Sequence, residues 1–229
     1  ISGHGNVETV VEAIKKGAYD FIQKPLDLNR TLVTLRNALD NKDVIQEVKK
    51  LKRLDETPSI HGNKVWGSSF VIMDYLIENP MPKNKKVLDV GCGWGLTGVF
   101  LAKTYKANVI GMDADPAVAP YLQLHAQINN VSVTFKKKRF QEVNNADFIN
   151  VHTVIGADIC FWEELTKPLY KMIKRALKAG VKQIIIGDPG RQPFYDLAEL
   201  CEQKFPNTIS ISRRITTPKT STKNLLIIK

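Results

Sequence analysis

Val87-Leu88-Asp89-Val90-Gly91-Cys92-Gly93-Trp94-Gly95 decides how this chain is read. A short apolar run ends in glycines at alternate positions, and a helical pattern over 95–106 follows at once. A strand that turns sharply into a helix needs residues without Cβ where the backbone bends or approaches a ligand closely. Dinucleotide sites use a similar glycine pattern, so the pattern alone names no ligand. Asp89 narrows the choice. A carboxylate two residues before the first glycine repels a pyrophosphate seated on a helix N-terminus and suits a cationic ligand group.

Outward from this motif, apolar strands are predicted at Lys86–Val90, Asn108–Met112, Val131–Phe135, Thr153–Ala157, Gln183–Gly187, Thr208–Ser212 and Asn224–Ile228. Helices are predicted between most of them, at Gly95–Lys106, Pro116–Asn129, Glu163–Ala179 and Pro193–Phe205. This alternation predicts an α/β fold: a doubly wound, mostly parallel, seven-stranded Rossmann-like sheet covered on both faces. Right-handed crossovers bring the carboxyl ends of its parallel strands to one edge, where open sheets bind ligands.

The second strand ends Gly111-Met112-Asp113-Ala114-Asp115. An acid there is placed to accept hydrogen bonds from the ribose hydroxyls of an adenosine cofactor. The two motifs, in order and spacing, resemble those of class I S-adenosylmethionine-dependent methyltransferases. The fourth strand ends Asp158-Ile159-Cys160-Phe161-Trp162, an acid and two aromatics at the ligand edge. The fifth runs into Gly187-Asp188-Pro189-Gly190-Arg191, whose guanidinium suits a carboxylate. Upstream, Val65-Trp66-Gly67-Ser68-Ser69 is placed to cover the cofactor.

Within that class, Asp158-Ile159-Cys160-Phe161 and Gly187-Asp188-Pro189-Gly190-Arg191 resemble motifs of the family-16 lysine methyltransferases. The electron-transfer-flavoprotein β-subunit lysine methyltransferases are among these. The resemblance runs over about 61–229. It implies that S-adenosylmethionine is the cofactor, with Asp89, Gly91, Cys92 and Gly93 at its methionine end and Asp113 with Ala114 at the ribose. Phe140 or Gln141 would border the adenine, and Trp66 would pack over the cofactor. Asp158, Phe161 and Trp162 would line the acceptor site, Asp158 as an orienting hydrogen-bond acceptor for an amine that must arrive neutral. Its alternative role is to cap the helix that follows. Phe161 followed by Trp162 departs from the Tyr of the animal enzyme. The implied partner is a protein carrying a target lysine, the electron transfer flavoprotein β subunit or another acidic protein. A small-molecule N-methyltransferase and a non-catalytic interaction module are the alternatives.

Residues 1–53 form a different region, joined to the catalytic part (54–229) through the turn-rich stretch Thr57-Pro58-Ser59-Ile60-His61-Gly62-Asn63. Ile1-Ser2-Gly3-His4-Gly5, Glu12–Phe21 and Lys24-Pro25 resemble the last third of a response-regulator receiver domain. The phosphorylated aspartate of such domains lies on an earlier strand, so no signalling role is expected of this partial βα segment. Leu28, Leu32, Leu35 and Leu39 predict a long helix reaching Lys52.

Composition adds exclusions. With 43% hydrophobic and 24% charged residues the chain can bury a core. No apolar run reaches the ~20 residues of a membrane helix, and a cytoplasmic location is the expectation. Cys92, Cys160 and Cys201 are too scattered for a disulfide framework, and no metal site is expected. The net charge of +10 fits nucleic acid, an acidic protein partner or a well-solvated surface, and the last is the expectation over nucleic acid. Its densest run, Lys136-Lys137-Lys138-Arg139, lacks the aromatics of a nucleic-acid stacking platform. His125, expected mid-helix, and His152, expected in a linker, are read as structural.

Overall fold

The computed structural model describes residues 66–216 and 220–229, all within the unit Glu56–Lys229. The receiver-like segment 1–53, its long helix and the linker 57–63 lie outside the described residues.

The first half of the domain contains α1 (Ser68–Glu78), β1 (Lys86–Val90), α2 (Leu96–Tyr105), β2 (Asn108–Asp113), α3 (Ala119–Ile128) and β3 (Val133–Lys137). The second contains β4 (Val151–Ala157), α4 (Glu163–Lys178), β5 (Gln183–Asp188), α5 (Gln192–Glu202), β6 (Thr208–Ile215) and β7 (Ser221–Ile228). The seven strands form one sheet in the order β3-β2-β1-β4-β5-β7-β6. All neighbours pair in parallel except β7, which runs antiparallel to both β5 and β6.

Strand side chains alternate between faces, so a strand that reads apolar throughout serves two cores. Val87 packs with α1, α2 and α3, whereas Leu88 and Val90 pack with α4 and α5. Ile185 faces the first core, and its neighbours Ile184 and Ile186 face the second. Fully burying each such side chain contributes roughly 1.5–3 kcal/mol. β6, at the sheet edge, shows a mixed exposure pattern that matches its polar residues.

Element boundaries differ from the sequence expectation by up to three residues, and several of the differences have a local reason. β3 begins two residues late because Asn130 takes a left-handed turn (φ 55°) and the Val131 amide bonds the Ala126 carbonyl, tying 129–131 to the end of α3. His152 is not in a linker but in β4, which begins at Val151 opposite Lys86. β6 and β7 pair as far as Ile215 opposite Ser221, through polar positions that hide the strand pattern. No helix among the described residues is long and apolar enough to cross a membrane.

Candidate active site

Between β1 and β4 the strand order reverses, and a parallel sheet opens a crevice at such a point beyond its carboxyl ends. A cavity of about 310 Å³ lies there, a size typical of small-molecule sites.

Its floor is the loop after β1. Gly91, Gly93 and Gly95 all have positive φ (65°, 51° and 71°). The loop is pinned from β2, since the Cys92 amide donates to the Met112 carbonyl (3.0 Å) and the Gly93 amide to Asp113 Oδ2 (2.9 Å). Asp113 Oδ1 accepts the Asp115 amide (3.0 Å), so one carboxylate holds both cofactor-side turns. Trp94 stacks on Tyr121 with centroids 4.9 Å apart.

The glycines are not equivalent. A Cβ at Gly93 would meet no protein atom within 4 Å, whereas one at Gly95 would stand 1.9 Å from Leu122 Cδ1. Leu122 is fully buried and has nowhere to go. Gly95→Ala is therefore expected to cost about 2–4 kcal/mol, from left-handed strain plus overpacking. Gly93→Ala should cost about 1 kcal/mol of strain but place a methyl in the cavity. Urea denaturation and ligand titration on the two variants check this: Gly95→Ala loses stability, Gly93→Ala loses mainly binding.

Asp89 is buried and lines the cavity, its Oδ2 accepting the Gly98 amide (3.1 Å). Burial pushes its carboxyl up to about 7, with the charge of Asp113 adding to the effect and the Gly98 bond opposing it. Burial also raises Asp113. Two carboxylates held at this cost in one wall suit a cationic, hydroxyl-bearing ligand. Thr97 adds a buried hydroxyl that lines the cavity without a hydrogen-bond partner in the chain.

The opposite wall is aromatic. Trp66 and Phe161 meet edge to face at 5.0 Å, and Trp162, half exposed, adjoins Phe161 at 5.7 Å. Arg191 lies over Phe161, its Cζ 4.1 Å from the ring centroid. Its Nη1 donates to Asp158 Oδ1 (3.1 Å) and to Asp188 Oδ2 (2.7 Å). Asp158, with φ 56°, accepts the Ser68 amide on its other oxygen (2.8 Å). It thus caps α1, not the helix that follows it, and both its oxygens are engaged within the chain. An incoming amine would have to share its remaining lone pairs.

Trp66, Asp89, Gly91, Cys92, Gly93, Asp113, Ala114, Phe140, Asp158, Phe161 and Trp162, all singled out from sequence, line this one cavity. Gln141 does not. Adjacent side chains point apart here, so Phe140 faces the cavity while Gln141 lines a separate depression with Lys167, Lys171 and Arg175. Arg175 donates to the Phe140 carbonyl (3.1 Å) and ties this turn to α4. Neither histidine lines the cavity; His125 Nδ1 lies 3.0 Å from the Trp94 carbonyl oxygen, and His152 meets Thr153. Burial raises the Cys160 thiol and pushes Cys201 up to about 12, so neither supplies a thiolate. Among the described residues no group of three or more His, Cys, Asp or Glu could hold a metal. Sequence reasoning passed over Thr97; its one legible signal was a hydroxyl in the apolar first turn of α2.

The profile of the methyltransferase-domain family matches residues 87–180, from β1 past the end of α4. Residues 87–180 are thus a methyltransferase domain. S-adenosylmethionine, the cofactor of such domains, fits the residues present: acids at its cationic and ribose ends, a partnerless buried hydroxyl, and open space where a side chain at Gly93 would stand.

Among solved structures, the methyltransferase domain resembles a putative O-methyltransferase of Nostoc punctiforme (TM-score 0.55, 15% identity, covering 82% of this chain and 68% of that one). It also resembles a human methyltransferase 10 domain containing protein (0.53, 11%, 72% and 84%). These likenesses are of fold. In sequence, the chain is 25% identical over 149 residues to the electron transfer flavoprotein beta subunit lysine methyltransferase of Rattus norvegicus, covering 62% of this chain and 57% of that one. It is 40% identical over 91 residues to the nitrogen assimilation regulatory protein NtrX of Azorhizobium caulinodans, covering 40% of this chain and 19% of that one. The chain thus spans about half the length of the lysine methyltransferase and a fifth of the regulator. The second likeness agrees with the receiver-like reading of the first segment.

Proposed function

We propose that this chain transfers a methyl group from S-adenosylmethionine to nitrogen, and that the acceptor is a protein lysine. The observation that carries the reading is the division of one cavity between a carboxylate wall, Asp89 and Asp113, and an aromatic wall, Trp66, Phe161 and Trp162. The curated relatives named as lysine methyltransferases support the choice of acceptor.

S-adenosylmethionine supplies an electrophilic methyl carbon when bound. What the chain supplies is position and exclusion of water, which for a well-oriented displacement lowers the barrier by several kcal/mol. Asp89 would hold the methionine ammonium of the cofactor and Asp113 its ribose, with Trp66 packed over it. Phe161 and Trp162 flank the acceptor. Asp158 acts through its partners, fixing the start of α1 and the guanidinium of Arg191. Among the described residues no histidine lines the cavity, and burial raises the Cys92 thiol there, so the amine is read as losing its proton to solvent before it enters. The acceptor protein is proposed to be the electron transfer flavoprotein β subunit or another acidic protein, and the setting cytoplasmic.

Calorimetric titration tests the reading. Wild type should bind S-adenosylmethionine and its demethylated product with micromolar affinity, and Asp113→Ala should weaken both by about 1 kcal/mol or more, the net worth of a lost hydrogen bond. Labelled methyl should then appear on lysine in proteins of a lysate. Folded wild type that binds neither ligand overturns the enzyme reading, and label found only in small molecules overturns the lysine.

A further inference from the structure

α4 begins at the mouth of the cavity and runs away from it. Trp162 and Leu165 line the cavity, while Lys167 and Lys171 line the separate depression beyond. Four lysines, Lys167, Lys171, Lys174 and Lys178, are all exposed. At 3.6 residues per turn they fall within an arc of about 60°, a straight stripe roughly 16 Å long. Among the described residues, none of the four forms an ion pair. The acids of the helix sit at its other end, Glu163 and Glu164, beside the mouth. On the far side of the depression, Arg175 ties α4 to the 140–143 turn through the Phe140 and Val143 carbonyls. That turn follows the exposed Lys137 and Arg139.

We propose that this lysine face of α4 docks an acidic segment of the protein whose lysine enters the cavity. The proposal rests on the protein-lysine reading and deepens it. Charge order along the helix is the argument. A segment with a basic residue at Glu163 and Glu164 and acidic residues along the stripe meets opposite charge at both places. The first lysine stands about 5 Å along the helix from those acids and the last about 22 Å. At about 3.3 Å per extended residue, the matching segment carries its acids between about two and seven positions from the basic residue that meets Glu163 and Glu164.

A nucleic acid fits less well. Phosphates would meet Glu163 and Glu164 at the mouth, and the face offers no ring for a base to stack on. Tyr170, the one aromatic of α4, is stacked on Phe205.

The test measures binding of a labelled lysine peptide carrying about five glutamates at that spacing, by fluorescence anisotropy on the full chain. The comparison peptide has glutamines instead, and the variant is Lys167→Gln, Lys171→Gln, Lys174→Gln, Lys178→Gln combined. The acidic peptide is expected to bind wild type about tenfold tighter than the glutamine peptide at low salt, with the advantage shrinking as salt rises. The combined variant should lose that advantage while binding S-adenosylmethionine like wild type. A variant that keeps the preference overturns the proposal. So does a single-stranded oligonucleotide that displaces the peptide from wild type and binds tighter. Binding needs no methyl transfer: if the peptide docks through the lysines but no lysine is ever methylated, docking stands and the acceptor reading falls.

Discussion

Asp89→Asn is expected to raise the melting temperature of the ligand-free protein at pH 8 while weakening S-adenosylmethionine binding at least tenfold. The wild-type carboxyl titrates at about 7, against an ordinary value of 3.8. A folded-state pKa above the unfolded one means the native state binds the extra proton, so stability falls as pH rises from about 4 through 7. At 1.36 kcal/mol per unit, the ionised Asp89 costs the fold on the order of 4 kcal/mol above pH 7. The amide removes that cost and can keep the Gly98 bond through its carbonyl oxygen. The two proteins should therefore melt together near pH 4, diverge between pH 4 and 7, and stay apart by a constant margin above it. Binding moves the other way. A cationic ligand selects the ionised form, so wild type should bind about tenfold more tightly at pH 7 than at pH 5.5, with release of a proton, and the variant should show no such slope. Equal melting temperatures at pH 8 would refute the electrostatic account of this wall.

Arg191→Ala should cost about 3–5 kcal/mol, the range for removing one partner of a buried pair. Arg191 is the shared cation of Asp158 and Asp188, whose side chains are 3% and 0% exposed. Burial already raises Asp188 even with the guanidinium present. Without it the carboxyl rises further, and the same sign rule makes the loss larger at pH 8 than at pH 5. For a domain of this size the melting temperature should drop by about 10 °C at pH 8. Scanning calorimetry at both pH values checks it. A drop of a degree or two, independent of pH, would show that the cluster is solvated and that Asp158 is not held by it.

The cofactor wall was legible because its chemistry is local. Asp89, Gly91, Gly93 and Asp113 sit at the ends of adjacent strands, and strand-end spacing carries that directly. Gly95 is also local, but the crowding that makes it irreplaceable comes from Leu122, a helix away. The acceptor wall was legible only as a set of residue types. The Ser68 amide meets Asp158 across 90 positions, and Arg191 reaches it across 33. No local pattern shows such a bond, so Asp158 read as an acceptor for substrate when its oxygens already serve the chain. Gln141 and Phe140 differ by one position around a turn, and spacing along the chain does not show which of them faces the cavity. His152 looked like linker because His152 and Thr153 interrupt the apolar run of their strand after Val151.

β7 comes last in the domain yet lies in the interior of the sheet, between β5 and β6. During synthesis, β5 leaves the ribosome with its parallel partner β4 already made but its other edge bare. Residues 184–186 of that strand are wholly apolar and wholly buried in the finished sheet. An open apolar edge of this kind invites pairing with other nascent chains. The nascent domain thus carries an unpaired apolar edge until Leu225–Ile228 emerge and close the sheet from within.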